Sequence, residues 1–384
     1  MRRLRFSLLT VMSAAVFSWA CGPEVRHEDE ATAKMSQGVT SVAGTYTSNA
    51  VWITHTYVST ASFIDANTDT LLQKMSIHYA TNTIVVNLGT IDSSGRIEAG
   101  TYPYVVRFLD RVAAYEAANG VSFKVYAAFA GNLDPAVAKF VDISTATGND
   151  RATIIDEAQR FTSKTVAGSY IASANRTFDG IMIDFEPSGP RDNATDDTNF
   201  NNLKTLMGDL RSAFNASGLS TRELGVAAHK YGDNSRWMWP MRYFYYMARY
   251  VNSLTVMTYN SGSTTGSAYQ SWMQSQAVSA LRAVSGEAYP DTNHPPPTNN
   301  PKVYFGFPAY PADTSHDPAA ENTKYGAWGL DAAVTALTND TADDSEAFMG
   351  GAYMYVHTDG NAAPGTYARW DTDWYWWYTH WLGR

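Results

Sequence analysis

Phe178-Asp179-Gly180-Ile181-Met182-Ile183-Asp184-Phe185-Glu186-Pro187 is a short apolar run interrupted by acids in one phase. In a strand, successive side chains point to opposite faces. Ile181, Ile183 and Phe185 therefore share one face, and Met182, Asp184 and Glu186 share the other. The apolar face suits a covering layer of helices. The second face carries two carboxylates on neighbouring inward positions, with Glu186 at the carboxyl end. Such a pair is costly through desolvation and repulsion, and no Lys or Arg lies within the strand to offset it. Spacing alone leaves two readings open. Backbone groups and tyrosine hydroxyls satisfy a structural acid pair, or the pair does proton chemistry, one carboxyl held protonated and the other ionised.

Outward from this strand the chain alternates. Runs rich in β-formers fall at 51–57, 83–88, 123–129, 180–185, 224–228, 253–258, 303–307 and 352–356. Segments with apolar residues at helical spacing fall at 65–78, 102–118, 151–174, 198–216, 237–250, 269–284, 330–337 and 367–381. Eight strands alternating with eight helices predict an α/β fold, a single (β/α)8 TIM barrel. The strand runs are almost continuously apolar, as in a parallel sheet covered by helices. A doubly wound open sheet is the competitor, and no glycine-rich dinucleotide fingerprint follows the first strand. The Pro- and Asn-rich stretch 291–301 reads as a loop before the seventh strand. On a barrel, Glu186 falls at the carboxyl end of the fourth strand, where barrel enzymes keep their chemistry. Trp370, Trp374, Trp377 and Trp381 share one stripe of the last helix. They read as large rings packed on the barrel wall, with a sugar- or membrane-binding surface as the alternative.

The chain of 384 residues is 45% hydrophobic and carries a formal charge of −9. The body shows no Lys/Arg cluster, which excludes an ordinary nucleic-acid binder and suits an uncharged ligand. Residues 1–20 differ: Arg2, Arg3 and Arg5 precede a short apolar run and then Ala20. That pattern is a secretory signal, too short to span a bilayer stably. Cys21, the single cysteine, follows Ser18-Trp19-Ala20, which resembles a lipobox, so Cys21 is the expected lipidation site. An ordinary signal peptide cut nearby, with Cys21 incidental, is the plainer alternative. Loss of the leader takes three arginines and no acid, leaving −12. Residues 21–48 read as a flexible tether and 49–384 as the catalytic domain. A lone cysteine means no internal disulfide.

The segment Asp179-Gly180-Ile181 with Ile183, Asp184 and Glu186 resembles the acidic signature of glycoside hydrolase family 18, the chitinases and endo-β-N-acetylglucosaminidases. Other segments resemble that family's motifs in order: Lys124 to Gly131 on the third strand, Val256-Met257-Thr258-Tyr259-Asn260 on the sixth, Gly306-Phe307-Pro308-Ala309-Tyr310 on the seventh and Gly351-Ala352-Tyr353-Met354-Tyr355 on the eighth. The likeness implies retaining, substrate-assisted hydrolysis next to an N-acetylglucosamine, in which the substrate's own acetamido oxygen attacks the anomeric carbon. Glu186 would then be proton donor and later base. Asp184 would steady the acetamido nitrogen, and Tyr259 would donate to the acetamido carbonyl. Asp179, Asn260, Tyr310, Tyr355 and Trp237 are the expected substrate-binding residues, with Tyr355 stacking on a sugar face.

Four positions depart from the family pattern: Met182 for an inward Asp, Asn260 for Asp, Tyr355 for Trp and Ala128 for Ser. They place the chain on a divergent branch. The short segment after the seventh strand leaves no room for a cleft-deepening module, so a shallow groove and an endo-acting enzyme or a branched substrate are expected. Trp239, Trp328 and His229 are subsite candidates, each equally readable as packing. His316-Asp317 and His357 with Asp359 invite a metal but lack a third ligand nearby, so no metal and no cofactor are expected. The expected partners are a GlcNAc-containing polysaccharide or glycoprotein glycan and, through the N-terminal lipid, a membrane. The chain is expected to act as a monomer, outside the cytoplasm, lipid-anchored or secreted. A non-catalytic sugar-binding barrel and a barrel glycosidase of another family remain as alternatives.

Overall fold

In the computed structural model, eight strands close into a barrel with every neighbouring pair parallel. They are β1 (Asn49–Ile53), β2 (Thr81–Thr90), β3 (Lys124–Asn132), β4 (Gly180–Glu186), β5 (Glu223–Ala228), β6 (Ser253–Val256), β7 (Lys302–Pro308) and β8 (Met349–Tyr355). Around them run α1 (Ala61–Gln73), α2 (Val105–Asn119), α3 (Asp150–Thr162), α4 (Asn193–Ala216), α5 (Met241–Met247), α6 (Gly266–Ser285), α7 (Thr323–Asn339) and α8 (Trp370–Trp376). The structure describes residues 48–78, 81–135, 140–144, 150–187, 192–235, 238–288, 297–310, 317–341, 343–356 and 370–383. The leader, Cys21, the tether, Trp237, His316, His357 and Asp359 lie outside them.

All eight predicted strands are present, and the differences lie at element ends. The first strand stops at Ile53 and Thr56–Ser59 turns helical. The third helix ends at Thr162, not 174, because Phe161, Tyr170 and Tyr102 gather there into an aromatic knot with centroids 4.6 to 5.2 Å apart. The fifth helix begins at Met241, since Pro240, which has no N–H to donate, occupies its N-cap.

Alternation on the strands divides the apolar residues into two layers. Ile181, Ile183 and Phe185 join the large core between barrel and helices. Met182 joins a separate cluster in the lumen with Trp52, Val85, Tyr126, Ala128 and Tyr353. The tryptophan stripe packs on the wall as expected: Trp374, Trp377 and Trp381 are buried, and Phe307 of β7 meets Trp377 and Trp381 edge-on at 5.8 and 5.7 Å. Their burial sets aside a surface role for these three.

Candidate active site at the barrel mouth

β3 and β4 run in register, placing Ala130 beside Asp184 and Asn132 beside Glu186. Both acids lie deep on the inward phase of β4, and each keeps part of its surface open at the mouth. Their Cα atoms are two residues apart along the strand, roughly 7 Å. Burial raises the Asp184 carboxyl to about 7. Burial, and then repulsion from Asp184, raises Glu186 well above its usual range. Among the described residues no cation pairs with either acid, and Asp184 Oδ1 is buried without a hydrogen-bond partner. An acid pair kept for structure would be satisfied. This one is strained electrostatically and open to the mouth, the arrangement in which one carboxyl keeps a proton at neutral pH.

Tyrosines from three strands face the acids. Tyr259, just beyond β6, stacks on Tyr355 of β8 with centroids 4.9 Å apart and planes 7° apart. Tyr310, just beyond β7, meets both rings edge-on at 6.0 and 5.6 Å. Trp52 of β1 meets Tyr355 edge-on at 6.4 Å. Burial and the neighbouring phenols and Asp184 raise Tyr259 well above its usual value, so it stays a hydroxyl donor at any working pH. The Tyr310 hydroxyl donates to Asn260 Oδ1 at 2.6 Å.

Tyr353 lies within the eighth-strand motif but was given no role by the sequence reading. It is fully buried on the same inward phase as Tyr355, and burial with the charges of both acids raises its phenol well above the usual value. Its hydroxyl donates to the Val256 carbonyl at 3.2 Å. Strand alternation back from Tyr355 was the available signal. Trp52, inward on β1, was missed for the same reason.

One expected site residue is corrected, and three readings left open are decided for packing. Asp179 is not in the groove. It precedes β4 at the opposite, amino end of the barrel, accepting from Arg176 at 2.6 Å and from the Val125 N–H at 2.8 Å; one strand length separates it from Glu186. It ties β3 to β4 instead. Trp239 and His229 are buried behind the wall, stacked on each other at 6.1 Å. They border a small cavity between β4 and α4 with Phe185 and Phe200. Trp328 packs edge-on between Tyr325 and His380. Among the described residues no three His, Cys, Asp or Glu side chains gather as a metal would require.

No family model matches the chain, and no curated protein matches it. Solved structures do resemble it. A putative chitinase A from Streptomyces coelicolor shares 16% identity over 88% of this chain and 97% of its own, with a TM-score of 0.48. A chitinase from Chromobacterium violaceum shares 13% over 85% and 98%, with a TM-score of 0.47. A class V chitinase from Nicotiana tobaccum, solved with NAG4, shares 12% over 86% and 98%, with a TM-score of 0.48.

Proposed function

We propose that this chain is a glycoside hydrolase that cuts β-linked, N-acetylglucosamine-containing glycans by the retaining, substrate-assisted route. One observation carries this: a strained Asp184–Glu186 pair shares the barrel mouth with the hydroxyl of Tyr259. Glu186, kept protonated by burial and by Asp184, gives its proton to the glycosidic oxygen as that bond breaks. The acetamido oxygen of the same sugar closes on the anomeric carbon, forming an oxazolinium ion. Asp184 accepts from the acetamido N–H and balances the positive charge. Tyr259 donates to the acetamido oxygen and aims it. Water then opens the ring while Glu186 takes its proton back, restoring the starting state and the anomeric configuration. Tyr355 offers an aromatic face to the sugar, and Asn260 offers a donor. The chain would work outside the cytoplasm, tethered through a lipid on Cys21.

The test incubates purified protein with chitooligosaccharides, high-mannose glycoprotein and peptidoglycan and measures released reducing ends. The expected result is release from at least one of them, reduced about a thousandfold in Glu186→Gln, as for loss of an essential acid–base group. No release from any substrate, with wild type equal to Glu186→Gln, would leave the non-catalytic sugar-binding barrel as the reading.

A further inference from the structure

Tyr259 and Asn260 lie in the loop just beyond β6, and the backbone turns there: Asn260 is in the left-handed region with φ 54°. Tyr310 touches both: its ring meets Tyr259 and its hydroxyl meets Asn260. Asn tolerates this conformation better than most residues, yet something must hold the kink in one place.

Two charged side chains grip it from either side. Lys230, two residues beyond β5, donates from Nζ to the Asn260 carbonyl at 2.5 Å. Its segment is itself clipped to α6, where Gln276 accepts from the Tyr231 N–H at 2.5 Å and donates to the Tyr231 carbonyl at 3.1 Å. Glu321, two residues before α7, is 1% exposed. Its Oε1 accepts from the Ser261 N–H at 2.8 Å, the Ser261 hydroxyl at 2.5 Å and the Ser263 N–H at 3.3 Å. Just upstream, the Tyr269 hydroxyl donates to the Thr258 carbonyl at 2.6 Å. The peptide after Asn260 is thus held at its carbonyl by a cation and at its N–H by an anion. Charge-assisted bonds of this kind are the strong ones.

We propose that Lys230 and Glu321 are positioning residues, a two-sided clamp that keeps Asn260 in its left-handed turn and so aims Tyr259 and Asn260 together into the mouth. The clamp draws on the loops after the fifth and seventh strands, so three separate βα-loops must be in place before the phenol is. Its consequence for turnover rests on the glycosidase reading; its consequence for the loop does not.

The experiment therefore has two arms. In the first, hydrogen exchange of the full-length protein is followed over 259–263. Glu321→Ala should speed exchange of the Ser261 and Ser263 amides at least about tenfold while the strands stay protected. Glu321→Gln, which keeps a carbonyl acceptor, should fall between, and it serves if the alanine variant does not fold. Unchanged exchange in both variants would overturn the clamp whether or not the chain proves to be an enzyme. In the second arm, turnover of a chromogenic chitobioside should fall about 100-fold in kcat for Glu321→Ala, the scale of a 1 Å misplacement, with KM within about threefold. Glu321→Gln should recover most of it. In a Tyr259→Phe background, Glu321→Ala should cost no more than about twofold further, since it acts through that phenol. Full multiplication of the two losses would overturn the positioning role and leave a stability role only.

Discussion

Met182 sits next below Asp184 on the inward phase of β4, buried and apolar. Thr255 turns its hydroxyl toward the Met182 sulfur at 3.6 Å, and Gly225 on β5 leaves it room, since a Cβ there would fall 2.6 Å from Met182 Cε. A thioether has no proton to share. The raised proton affinity of Asp184 therefore comes from burial alone, and that of Glu186 from burial with Asp184 added. This has a sign. The working form needs Asp184 ionised and Glu186 protonated, so kcat/KM should rise as pH climbs through about 7 and fall when Glu186 finally loses its proton. In Asp184→Asn the repulsion that raises Glu186 disappears, so the descending limb should move to lower pH by about one unit. A pH–rate profile of the residual activity checks this; an unmoved limb would mean the two groups do not interact. The acid pair was legible from alternation alone. Asp179 was misplaced because a motif says which residues occur together and not which end of a strand each occupies. Lys230 and Glu321 were invisible, lying 30 and 61 residues from Asn260 in the chain.

At the scale of elements, β7 matters through what it lacks. Gly306 pairs with Tyr353 of β8. A Cβ at Gly306 would fall 2.6 Å from the Tyr353 Cζ and Oη and 2.9 Å from Tyr259 Cε1. Its backbone is ordinary, so the requirement is for space, not for conformation. Gly306→Ala should push both phenols off their positions, lower kcat at least about tenfold, and destabilise by about 1–3 kcal/mol, as overpacking does. Steady-state kinetics with a thermal melt measures both; wild-type kinetics would mean that the rings shift aside without consequence. Existence and order of the strands could be read from apolar runs. Their ends could not, because ends depend on caps and neighbours: Asp192 caps α4 by accepting from the Ala194 and Thr195 N–H groups, and Pro240 sets the start of α5.

For the whole molecule, closure of the barrel depends on the β1–β8 seam. Asn49 is fully buried there. Its Oδ1 accepts from the Ala352 N–H and from the Trp381 indole N–H, each at 3.0 Å, joining first strand, last strand and C-terminal segment. Asn49→Ala leaves two buried donors unpaired and should cost about 2–4 kcal/mol, read as a lower unfolding midpoint in denaturant. The kcat of the folded fraction should be unchanged, because the seam contact lies at the amino end of β1. An unaltered midpoint would mean that water replaces the amide. The linear chain itself determined the (β/α)8 order, the inward phase of Asp184 and Glu186, and the packing of the last helix, because these follow from local period: two in strands, near 3.6 in helices. Only the closed barrel decided which inward side chains meet. Tyr259 with Tyr353 and Tyr355, and the turn at Asn260 between Lys230 and Glu321, depend on register between strands distant in sequence, and register is set by packing the whole wall at once.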